Sequence, residues 1–537
     1  MSEPLVIALA QLNFTVGDIE GNKARIQSAI KSARDPDIII FSELAVVGYP
    51  PEDLVMRSAF QKRAIAAIEE IARANRAGPT IIIGGISIEK EKCFNSVYVL
   101  RGGKIVHRQH KHKLPNYGVF DEKRVFDKGA LPKPFTIEGV KFGLLVCEDM
   151  WGVNVPTALK TADILVVINA SPFAKHKHEV RLGAAKRAIE IVKSPLIYLN
   201  QVGGQDDIVF DGNSFVLSAK GELVANLPSW EESVAVTVWQ KKKSGWVCEK
   251  AVDAKSRDVH GDMYRAMVLA LKDYVRKNRF REVVLGLSGG IDSALTAAVA
   301  VDALGAEAVK GVFMPSRFTS KDSMEDAKSS AQLLGIELEV IDIEPMVKAF
   351  EHQLKPVFEG KKRDITEENL QSRTRGMILM AISNKTGAMV LTTGNKSELA
   401  TGYATLYGDM CGGYNVLKDV YKTEVYALAK WRNKNEMVIP KRTITKAPTA
   451  ELRENQKDQD TLPSYAVLDA ILQELIEKET PLATIVKKGF HREVVEKVAR
   501  MLYTSEYKRR QAAPGVKIST RSFGRDRRYP ITNGFKE

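Results

Sequence analysis

The sequence has few cysteines, and their placement excludes two common classes of small domain. Its 537 residues include four cysteines, which are scattered along the chain, and no two of them form a C-x-x-C pair. Proteins built on a disulfide framework and modules built on a structural zinc site both need closely spaced cysteines. Neither class fits this chain, so a function for any of the four must be sought in its local sequence.

Long apolar runs are also missing. Although 44% of the residues are hydrophobic, no run approaches the ~18 residues that mark a transmembrane helix. Residues 1–5 show no basic segment followed by an apolar one, so the sequence predicts no secretory signal. We therefore expect a globular cytosolic protein with no membrane partner. A chain of 537 residues is too long for one core, which predicts two or three domains.

Acidic residues are the minority charge. The chain has 79 lysines and arginines against 66 aspartates and glutamates, a formal net charge of +13. A basic protein can bind nucleic acid, but positive charge equally suits polyanionic small ligands such as ATP. The sequence lacks an aromatic RNP-like stripe and paired cysteines for sulfur transfer, so we predict no nucleic-acid partner. A basic RNA-binding protein is nevertheless the alternative from a different class.

The first 240 residues alternate short apolar runs with helical patterns. This alternation, with a hairpin pattern at residues 96–107, is typical of a layered α/β domain. The sequence predicts strands at 6–11, 38–41, 81–88, 97–100, 142–147, 164–168 and 196–200, and helices at 22–34 and 58–77.

The pattern lapses over residues 239–258, where the charged run 240–245 breaks any period. We place the boundary there, which gives domains of 1–245 and 246–537. The second domain has the βαβ rhythm of a doubly wound parallel sheet, in which ligands bind at the carboxyl ends of the strands. The predicted elements are helices at 261–277 and 294–304, strands at 283–287, 310–314, 337–343 and 388–392, and a return to helical spacing over 463–503.

Three residues at the ends of predicted strands could together support an amidase. A thiolate that attacks a carboxamide needs a base to move protons and a donor to stabilise the oxyanion. Cys147 ends one apolar run, Glu43 ends another, and Lys111, at the start of the segment 111–122, is also expected at a strand end. Each has an ordinary structural explanation by itself, because a buried cysteine usually packs as a small hydrophobe. The interpretation therefore depends on the three occurring together.

The flanking residues strengthen this interpretation. Phe-Ser-Glu-Leu at 41–44, Lys-x-x-Leu-Pro-Asn-Tyr at 111–117 and Val-Cys-Glu-Asp-Met-Trp at 146–151 resemble the Glu-Lys-Cys triad segments of the nitrilase, or carbon–nitrogen hydrolase, superfamily. The resemblance covers about 240 residues and implies an αββα sandwich. It also implies that Cys147 is the nucleophile, Glu43 the general base and Lys111 the oxyanion partner, with Glu122 as a supporting glutamate.

One position departs from the family pattern. The family's lysine is usually followed by x-His-Leu, whereas x-Lys-Leu follows here, so Lys113 is an alternative to Lys111. The spacing to the following Leu-Pro favours Lys111. Residues 169–173 and Lys177 resemble the segment that holds glutamine in the glutaminase members. We therefore expect Tyr117, Ser171 and Lys177 to bind the amide substrate.

A glycine loop marks the second domain. Ser-Gly-Gly-Ile-Asp-Ser at 288–293 follows a predicted strand and opens a predicted helix. Glycines permit a close approach of the backbone to a ligand, and a helix N-terminus favours an anion. Asp292 could hold Mg²⁺, which prefers oxygen ligands. The Walker pattern G-x-x-x-x-G-K-[ST] is absent, which disfavours ordinary transfer of a γ-phosphate. The structural alternative is a tight βα turn.

The loop resembles that of the ATP-pyrophosphatase family, in which ATP is cut between its α and β phosphates. The segments 392–402, 407–409, 418–423 and 446–452 are similar to those of NAD synthetases, and the last matches that family's mobile loop. With the nitrilase-like half in front, nearly the whole chain resembles bacterial glutamine-dependent NAD⁺ synthetases. The nearest enzyme alternative is another glutamine-fed adenylating amidotransferase.

The resemblance implies an activity and assigns roles. Glutamine would supply ammonia, and ATP with Mg²⁺ would adenylate deamido-NAD⁺, which ammonia converts to NAD⁺ in a homo-oligomer with a shielded tunnel. The metal ligands would be Asp292 and Glu398, and Asn369, Glu398 and Lys508 would contact deamido-NAD⁺. ATP would contact Gly286, Leu287, Ser288, Gly289, Gly290, Ile291, Asp292, Ser293 and Thr393.

Overall fold

The computed structural model describes residues 3–250, 258–535 and 537. The chain divides into two compact units, Met1–Arg257 and Asp258–Glu537. Among the described residues, no helix combines the length and the apolar character that a membrane crossing requires.

The first unit is built on two sheets. Among its described residues the larger sheet has the strand order β15-β14-β1-β2-β3-β4-β5 and the smaller has the order β13-β12-β9-β8-β7-β6, with β10 and β11 paired separately. The strands are β1 (Leu5–Gln11), β2 (Ile38–Phe41), β3 (Thr80–Glu89), β4 (Lys92–Arg101), β5 (Lys104–His110), β6 (Phe135–Ile137), β7 (Val140–Val146), β8 (Ile164–Asn169), β9 (Leu196–Asn200), β10 (Val202–Gln205), β11 (Ile208–Asp211), β12 (Phe215–Leu217), β13 (Leu223–Asn226), β14 (Ser233–Lys242) and β15 (Gly245–Lys250).

Side chains that point alternately to the two faces of each strand pack the layers of this unit together. Ile38 and Ile40 of β2 join a buried cluster shared with Phe142 and Leu144 of the other sheet, whereas Ile39 joins the cluster that includes helix residue Ile68. Successive side chains of a strand point to opposite faces, so a wholly apolar strand can bind a sheet on one face and helices on the other. The result is the predicted αββα sandwich. Its helices are α1 (Ile19–Ser32), α2 (Ser58–Ala74), α3 (Asn154–Ala158) and α4 (Lys177–Val192).

The second unit contains a parallel sheet with helices around it, as predicted. Among its described residues the strand order is β18-β17-β16-β19-β20, and each neighbouring pair is parallel. The strands are β16 (Val283–Gly286), β17 (Val309–Phe313), β18 (Glu337–Val340), β19 (Met389–Thr392) and β20 (Tyr414–Asn415). The helices are α5 (Val259–Lys277), α6 (Ile291–Leu304), α7 (Lys321–Leu334), α8 (Glu344–Leu354), α9 (Ile365–Thr386), α10 (Lys396–Thr401), α11 (Lys422–Arg432), α12 (Lys441–Thr445), α13 (Tyr465–Ile476), α14 (Leu482–Lys487), α15 (Arg492–Thr504) and α16 (Glu506–Arg509).

The charged run at 240–245 has a different local structure from the one that its sequence indicates. Residues Trp239–Lys242 of β14 pair with Gly245–Cys248 of β15, so the run forms a hairpin within the larger sheet of the first unit. The division between the units falls between Arg257 and Asp258. Residues 251–257 of the predicted lapse lie outside the described residues. Lysines at the hairpin end obscured the alternation because the end of β14 and the turn that follows it are exposed.

Two predicted bounds in the second unit also shift. The strand predicted at 337–343 ends at Val340, and the helix predicted at 294–304 begins at Ile291. The second shift affects the candidate site, because it places Asp292 in the first turn of α6 at the carboxyl end of β16.

Candidate functional site

Cys147 lies at a sharp turn in the first unit. It follows β7 directly and starts a 3₁₀ turn that spans Cys147–Met150. Its φ of 46° is in the left-handed region, which L-residues other than asparagine and aspartate rarely adopt, and its side chain is only 4% exposed. Backbone strain of this kind tends to cluster at functional sites. The turn holds the thiol at the carboxyl edge of the smaller sheet.

A buried lysine joins two glutamates near this edge. Lys111 Nζ lies 2.6 Å from Glu43 Oε1 and 2.8 Å from Glu122 Oε1, and the side chains of Lys111 and Glu43 are 0% exposed. Glu43 follows β2 and Lys111 follows β5, so the strand ends bring together residues 68 positions apart. The structure therefore places the two predicted charged residues in direct contact.

Further hydrogen bonds orient the Glu43 carboxylate. Its Oε1 accepts from Asn95 Nδ2 at 2.7 Å, and its Oε2 accepts from the backbone N–H of Ala170 at 2.9 Å. With the bond from Lys111, both oxygens are held by donors from β4, β5 and the end of β8. Preorganisation of this kind fixes where a general base can act.

The charges around Cys147 set its ionisation. Burial raises the pKa of the Cys147 thiol well above its usual range, Glu43 raises it further, and Lys111 opposes them. Burial would lower the pKa of Lys111, but Glu122 and Glu43 raise it well above its ordinary value. The resting site therefore holds a neutral thiol beside a charged lysine, and the thiol needs a base before it can react.

Glu122 is a buried carboxyl of this cluster with a raised pKa. Burial raises its pKa to about 7 against the opposing effect of Lys111. Tyr49 donates to the same oxygen, Oε1, at 2.9 Å. Glu122 therefore has two fixed donors and an ionisation that couples the cluster to the pH of the solution.

Asp149 links the lysine segment to the cysteine turn, and sequence reasoning gave it no role. Its Oδ1 accepts from the backbone N–H groups of His112 at 3.0 Å and Lys113 at 2.8 Å, and its Oδ2 accepts from Val146 N at 3.2 Å. Burial raises its pKa to about 6. The signal was available, because Asp149 stands two residues after Cys147 in the motif that carries the resemblance.

The position of Lys113 distinguishes it from Lys111. Lys113 is half-buried, and its side chain lies near Gly152, where a methyl group placed on the glycine would be 3.5 Å from Lys113 Cε. The contacts with Glu43 and Glu122 are made by Lys111. The geometry thus favours Lys111 over the alternative that the sequence left open.

Glu148 interacts with two of the predicted glutamine contacts, by a hydrogen bond from Tyr117 and through the charge of Lys177. Tyr117, which is 53% exposed, donates from its hydroxyl to Glu148 Oε2 at 2.9 Å. Lys177 starts α4, and its ammonium lies 4.7 Å from the centre of the Trp151 ring. Burial raises the pKa of Glu148. Sequence reasoning missed Glu148, although it follows the candidate nucleophile directly.

Ser171 is buried and held by an arginine. Arg181, from α4, donates from Nε to Ser171 Oγ at 3.1 Å and from Nη2 to the carbonyl oxygens of Ser171 at 2.6 Å and Pro172 at 3.0 Å. Its Nη1 pairs with Asp211 at 2.8 Å. Arg181 therefore holds the segment that carries Ser171 in place, and Asp211 neutralises the charge of this arginine.

In the second unit the predicted glycine loop closes on itself. Ser293 Oγ donates to Gly290 O at 3.0 Å and lies 3.2 Å from Ser288 N and 3.1 Å from Ser288 Oγ. Gly289 has a φ of 83°, and a methyl group there would lie 2.3 Å from Ser323 O. Only glycine fits this position, because α7 approaches the loop so closely. The loop thus presents its backbone at the N-terminus of α6.

This loop forms one wall of a cavity of about 300 Å³, which is within the usual range for small-ligand sites. All eight predicted loop residues from Gly286 to Ser293 line it, as do Thr393 and Glu398. The segment 446–452 lines the cavity from another side. Glu451 holds that segment, because its Oε1 accepts from Ser320 Oγ at 2.8 Å and Ser323 Oγ at 2.7 Å.

A second lysine lies between two carboxylates on the cavity wall. Lys422 Nζ contacts Asp292 Oδ2 and lies 3.3 Å from Glu398 Oε1. Asn395 Nδ2 donates to the other oxygen of Asp292 at 3.0 Å. Burial raises the pKa of Glu398 to about 8, and Lys422 opposes the rise. Lys422 and Asn395 lie in segments that carried the resemblance, but sequence reasoning assigned neither of them a role.

Asn369 and Lys508 do not line this cavity. Asn369 Oδ1 accepts from Thr405 Oγ1 at 2.9 Å, and Lys508 Nζ donates to the carbonyl oxygens of Gly402 at 2.8 Å and Ala404 at 2.7 Å. Both therefore hold the segment 402–405, whose Tyr403 lines the cavity. Their contact with deamido-NAD⁺ stays a prediction.

Both halves of the chain are similar to known protein families. Residues 6–243 match the carbon–nitrogen hydrolase family and residues 263–512 match the NAD synthase family. A glutamine-dependent NAD(+) synthetase from Rhodobacter capsulatus is 46% identical, with 100% of each chain covered, and one from Acinetobacter baylyi is 45% identical, with 99% of this chain and 98% of the relative covered. The structure of the glutamine-dependent NAD+ synthetase of Acinetobacter baumannii in complex with adenosine diphosphate has a TM-score of 0.80 at 42% identity, with 99% of each chain covered. The chain belongs to the family of glutamine-dependent NAD(+) synthetases.

Proposed function

We propose that the protein hydrolyses glutamine in its first unit and uses the ammonia and ATP in its second unit to convert deamido-NAD⁺ to NAD⁺. The observation that carries the proposal is the pairing of two sites on one chain. One is a buried Glu43–Lys111 pair whose charges act on Cys147, and the other is a cavity walled by a glycine loop.

Glutamine hydrolysis begins with proton transfer from the Cys147 thiol to Glu43, since the thiol is neutral at rest. The thiolate attacks the amide carbon, and Lys111 donates to the oxygen that becomes negative. Glu43 returns the proton to the leaving nitrogen, so ammonia departs and a thioester remains. Glu43 then takes a proton from water, which attacks the thioester and releases glutamate with regeneration of the thiol.

The substrate is held by groups around this centre. Lys177 and Glu148 supply opposite charges, which suit the carboxylate and the ammonium of the glutamine backbone, and Tyr117 donates to Glu148. Ser171 lies on the segment that follows β8, the same segment whose Ala170 N–H holds Glu43. Binding and catalysis would therefore share one rigid strand end.

Amidation starts with adenylation in the second unit. The nicotinate carboxylate of deamido-NAD⁺ attacks the α-phosphorus of ATP, the bond to the β-phosphate oxygen breaks, and pyrophosphate leaves. The N-terminus of α6 and the loop from Gly286 to Ser293 favour the negative charge of the phosphates. Ammonia then attacks the acyl-adenylate and displaces AMP, which leaves the nicotinamide of NAD⁺. Thr393 would contact ATP, and its position on the wall of the same cavity supports this role.

The cavity wall fits Mg²⁺. Asp292 and Glu398 offer hard carboxylate oxygens, and Lys422 shows that a cation is already stabilised between them. Magnesium sites commonly use one or two carboxylates and complete their octahedron with phosphates and water. Bound Mg²⁺ would neutralise charge on the phosphates.

The proposal is tested by following the amide nitrogen. The full-length protein with ATP, Mg²⁺, deamido-NAD⁺ and amide-¹⁵N glutamine should form ¹⁵N-labelled NAD⁺, AMP and pyrophosphate in equal amounts, with at least as much glutamate. Formation of ADP and phosphate, or amidation of a different carboxylate only, would contradict it and would support another amidotransferase. Tight RNA binding with a steep salt dependence would support the RNA-binding alternative.

Three further properties stay predictions. A homo-oligomer, a shielded route for ammonia and a cytosolic location are implied by the resemblance or by composition. The oligomer is checked by light scattering coupled to size-exclusion chromatography. The shielded route predicts that added unlabelled ammonium does not dilute the ¹⁵N label in NAD⁺ during coupled turnover, and dilution in proportion to its concentration would contradict it.

A further inference from the structure

One face of α9 lines the cavity of the second unit. Ser372, Arg375, Gly376 and Leu379 all contribute to its wall. Ser372, Arg375 and Leu379 are spaced by three or four residues, the spacing that places side chains on one face of a helix. Arg375 is the charged member of this face, and the mechanism above gives it no role.

The position of Arg375 relative to the glycine loop follows from that of Leu379, which lies one helical turn further along α9. A methyl group on Gly286, the last residue of β16, would lie 3.7 Å from Leu379 Cδ1, so Leu379 is level with the end of β16. Helix α9 leads into β19, which is parallel to β16, so its earlier residues lie beyond the carboxyl ends of these strands. Arg375 precedes Leu379 by about one turn, or ~5.4 Å. It therefore lies at the level of the glycine loop.

The guanidinium group has an unusual set of partners. Arg375 Nε donates to Met314 O at 3.0 Å, just past the end of β17, which is the neighbour of β16 in the sheet. Within the described residues, no carboxylate lies at ion-pair distance from Arg375. Arg432 of the same unit, by contrast, is paired with Asp302 at 2.7 Å.

Even a half-buried guanidinium without a paired carboxylate is costly unless an anion is supplied. Burial lowers the pKa of Arg375 to about 10, although Glu451 and Asp409 act in the opposite direction from a greater distance. The group stays charged at neutral pH. Its remaining N–H groups form a planar fork that suits phosphate oxygens, and the site already contains the glycine loop and the N-terminus of α6.

We propose that Arg375 binds the phosphate chain of the nucleotide in this cavity, across from the glycine loop. The assignment rests on the proposed function, because it requires that a nucleotide occupy the cavity. It places the phosphates between backbone N–H groups on one side and a guanidinium from α9 on the other. Arg375 is thus a substrate-binding residue that the sequence motifs did not single out.

The test distinguishes an effect on ATP binding from an effect on deamido-NAD⁺ binding. With ammonium as nitrogen donor, apparent KM values for ATP and for deamido-NAD⁺ are measured for the full-length wild type, Arg375→Lys and Arg375→Met. We expect KM for ATP to rise about ten-fold or more in Arg375→Met, since a charge-assisted hydrogen bond is lost, and less in Arg375→Lys. KM for deamido-NAD⁺ should change less than two-fold. Where turnover is too slow, titration of ADP and of deamido-NAD⁺ by calorimetry gives the same comparison.

Arg432→Met is the matched control, because that arginine is paired with Asp302 and does not line the cavity. It should lower the melting temperature and leave KM for ATP within two-fold. An unchanged ATP affinity in Arg375→Met would overturn the proposal. So would a loss confined to deamido-NAD⁺, or an equal loss for both substrates with a lowered melting temperature. Wild-type NAD⁺ formation in the same assay tests the proposed function independently of these outcomes.

Discussion

Each unit of the chain holds a lysine between two carboxylates, but the two arrangements differ in how far they are closed. In the first unit Lys111 and Glu43 are inaccessible, and Glu43 has additional donors in Asn95 and Ala170. In the second unit Lys422 is 3% exposed, while the side chains of Asp292 and Glu398 are 16% and 18% exposed and line a cavity.

This difference indicates two uses of the same charge pattern. A closed triad of this kind is suited to support a reactive group beside it, which in the proposed mechanism is Cys147. Carboxylates that face a cavity can exchange their partner for a ligand or a cation. The comparison therefore predicts that changes in the first cluster affect glutamine hydrolysis alone, whereas changes in the second affect the use of ATP and Mg²⁺.

The largest expected effect comes from Glu43→Gln. The amide keeps the shape but cannot accept the thiol proton, so glutamine hydrolysis should fall about 10²–10⁴-fold, the usual contribution of a general base. NAD⁺ formation from ammonium should stay within two-fold of wild type. Glu69→Gln, an exposed change in α2, is the control. Equal loss of glutamine hydrolysis and of ammonium-driven NAD⁺ formation in the folded variant would contradict the separate roles of the two clusters.

Asp292→Asn should have the opposite pattern. Loss of a carboxylate at the cavity should lower NAD⁺ formation from either nitrogen source about 10²–10³-fold, the range seen when one preorganised electrostatic group is removed. Glutamine hydrolysis without ATP should persist. The matched control is Asp302→Asn on the same helix, whose partner is Arg432. Higher Mg²⁺ should partly restore Asp292→Asn, and an unchanged rate in this variant would contradict the assignment.

Glu122→Gln tests whether the charge of Glu122 in the closed cluster sets the pH dependence of glutamine hydrolysis. The pKa of Glu122 lies near 7, so the wild-type carboxylate is charged above this value and neutral below it. The variant resembles the neutral form at every pH. Its glutaminase kcat/KM should therefore match wild type at low pH and fall behind by about ten-fold or more above pH 7, where a charged hydrogen bond to Lys111 is missing. Parallel profiles across pH 5–9 would contradict this role.

The smallest effect is on stability and comes from Glu398→Gln. Because the folded-state pKa of about 8 exceeds the ordinary 4.5, its contribution to stability is fully present below pH 4.5 and is lost as pH rises through 8. The variant should therefore gain about 2–4 °C in melting temperature relative to wild type between pH 5 and pH 8 without Mg²⁺. Exposed Glu436→Gln should show no such trend. A constant difference across this window would contradict the shifted ionisation.

Much of the fold follows from local patterns. Runs such as 38–41 and 164–168 are wholly apolar because each strand is covered on both faces, and the glycine loop lies between a strand and a helix as its sequence predicts. The hairpin at 239–250 was missed because exposed lysines hide the alternation. The alternation of apolar and polar residues reflects burial on one face, so it does not reveal a strand whose end is exposed on both faces.

The candidate sites divide in the same way. Residues within a motif, such as Cys147 and Asp292, could be found from the sequence because the turn and the chemistry occur together. Asp149 stands within a motif and was overlooked, whereas Arg181 and Arg375 could not be assigned, because their roles depend on backbone carbonyls outside the motifs' own turns. Sequence spacing does not reveal which carbonyl or N–H a long side chain will reach.

The most direct test of the division between the two sites is Cys147→Ala assayed with each nitrogen source. We predict that this variant forms no NAD⁺ from glutamine but forms it from ammonium at a rate within two-fold of wild type. Cys93→Ala, which changes another cysteine of the first unit, should retain both activities. Retention of glutamine-driven synthesis in Cys147→Ala, or loss of ammonium-driven synthesis in the folded variant, would contradict the account.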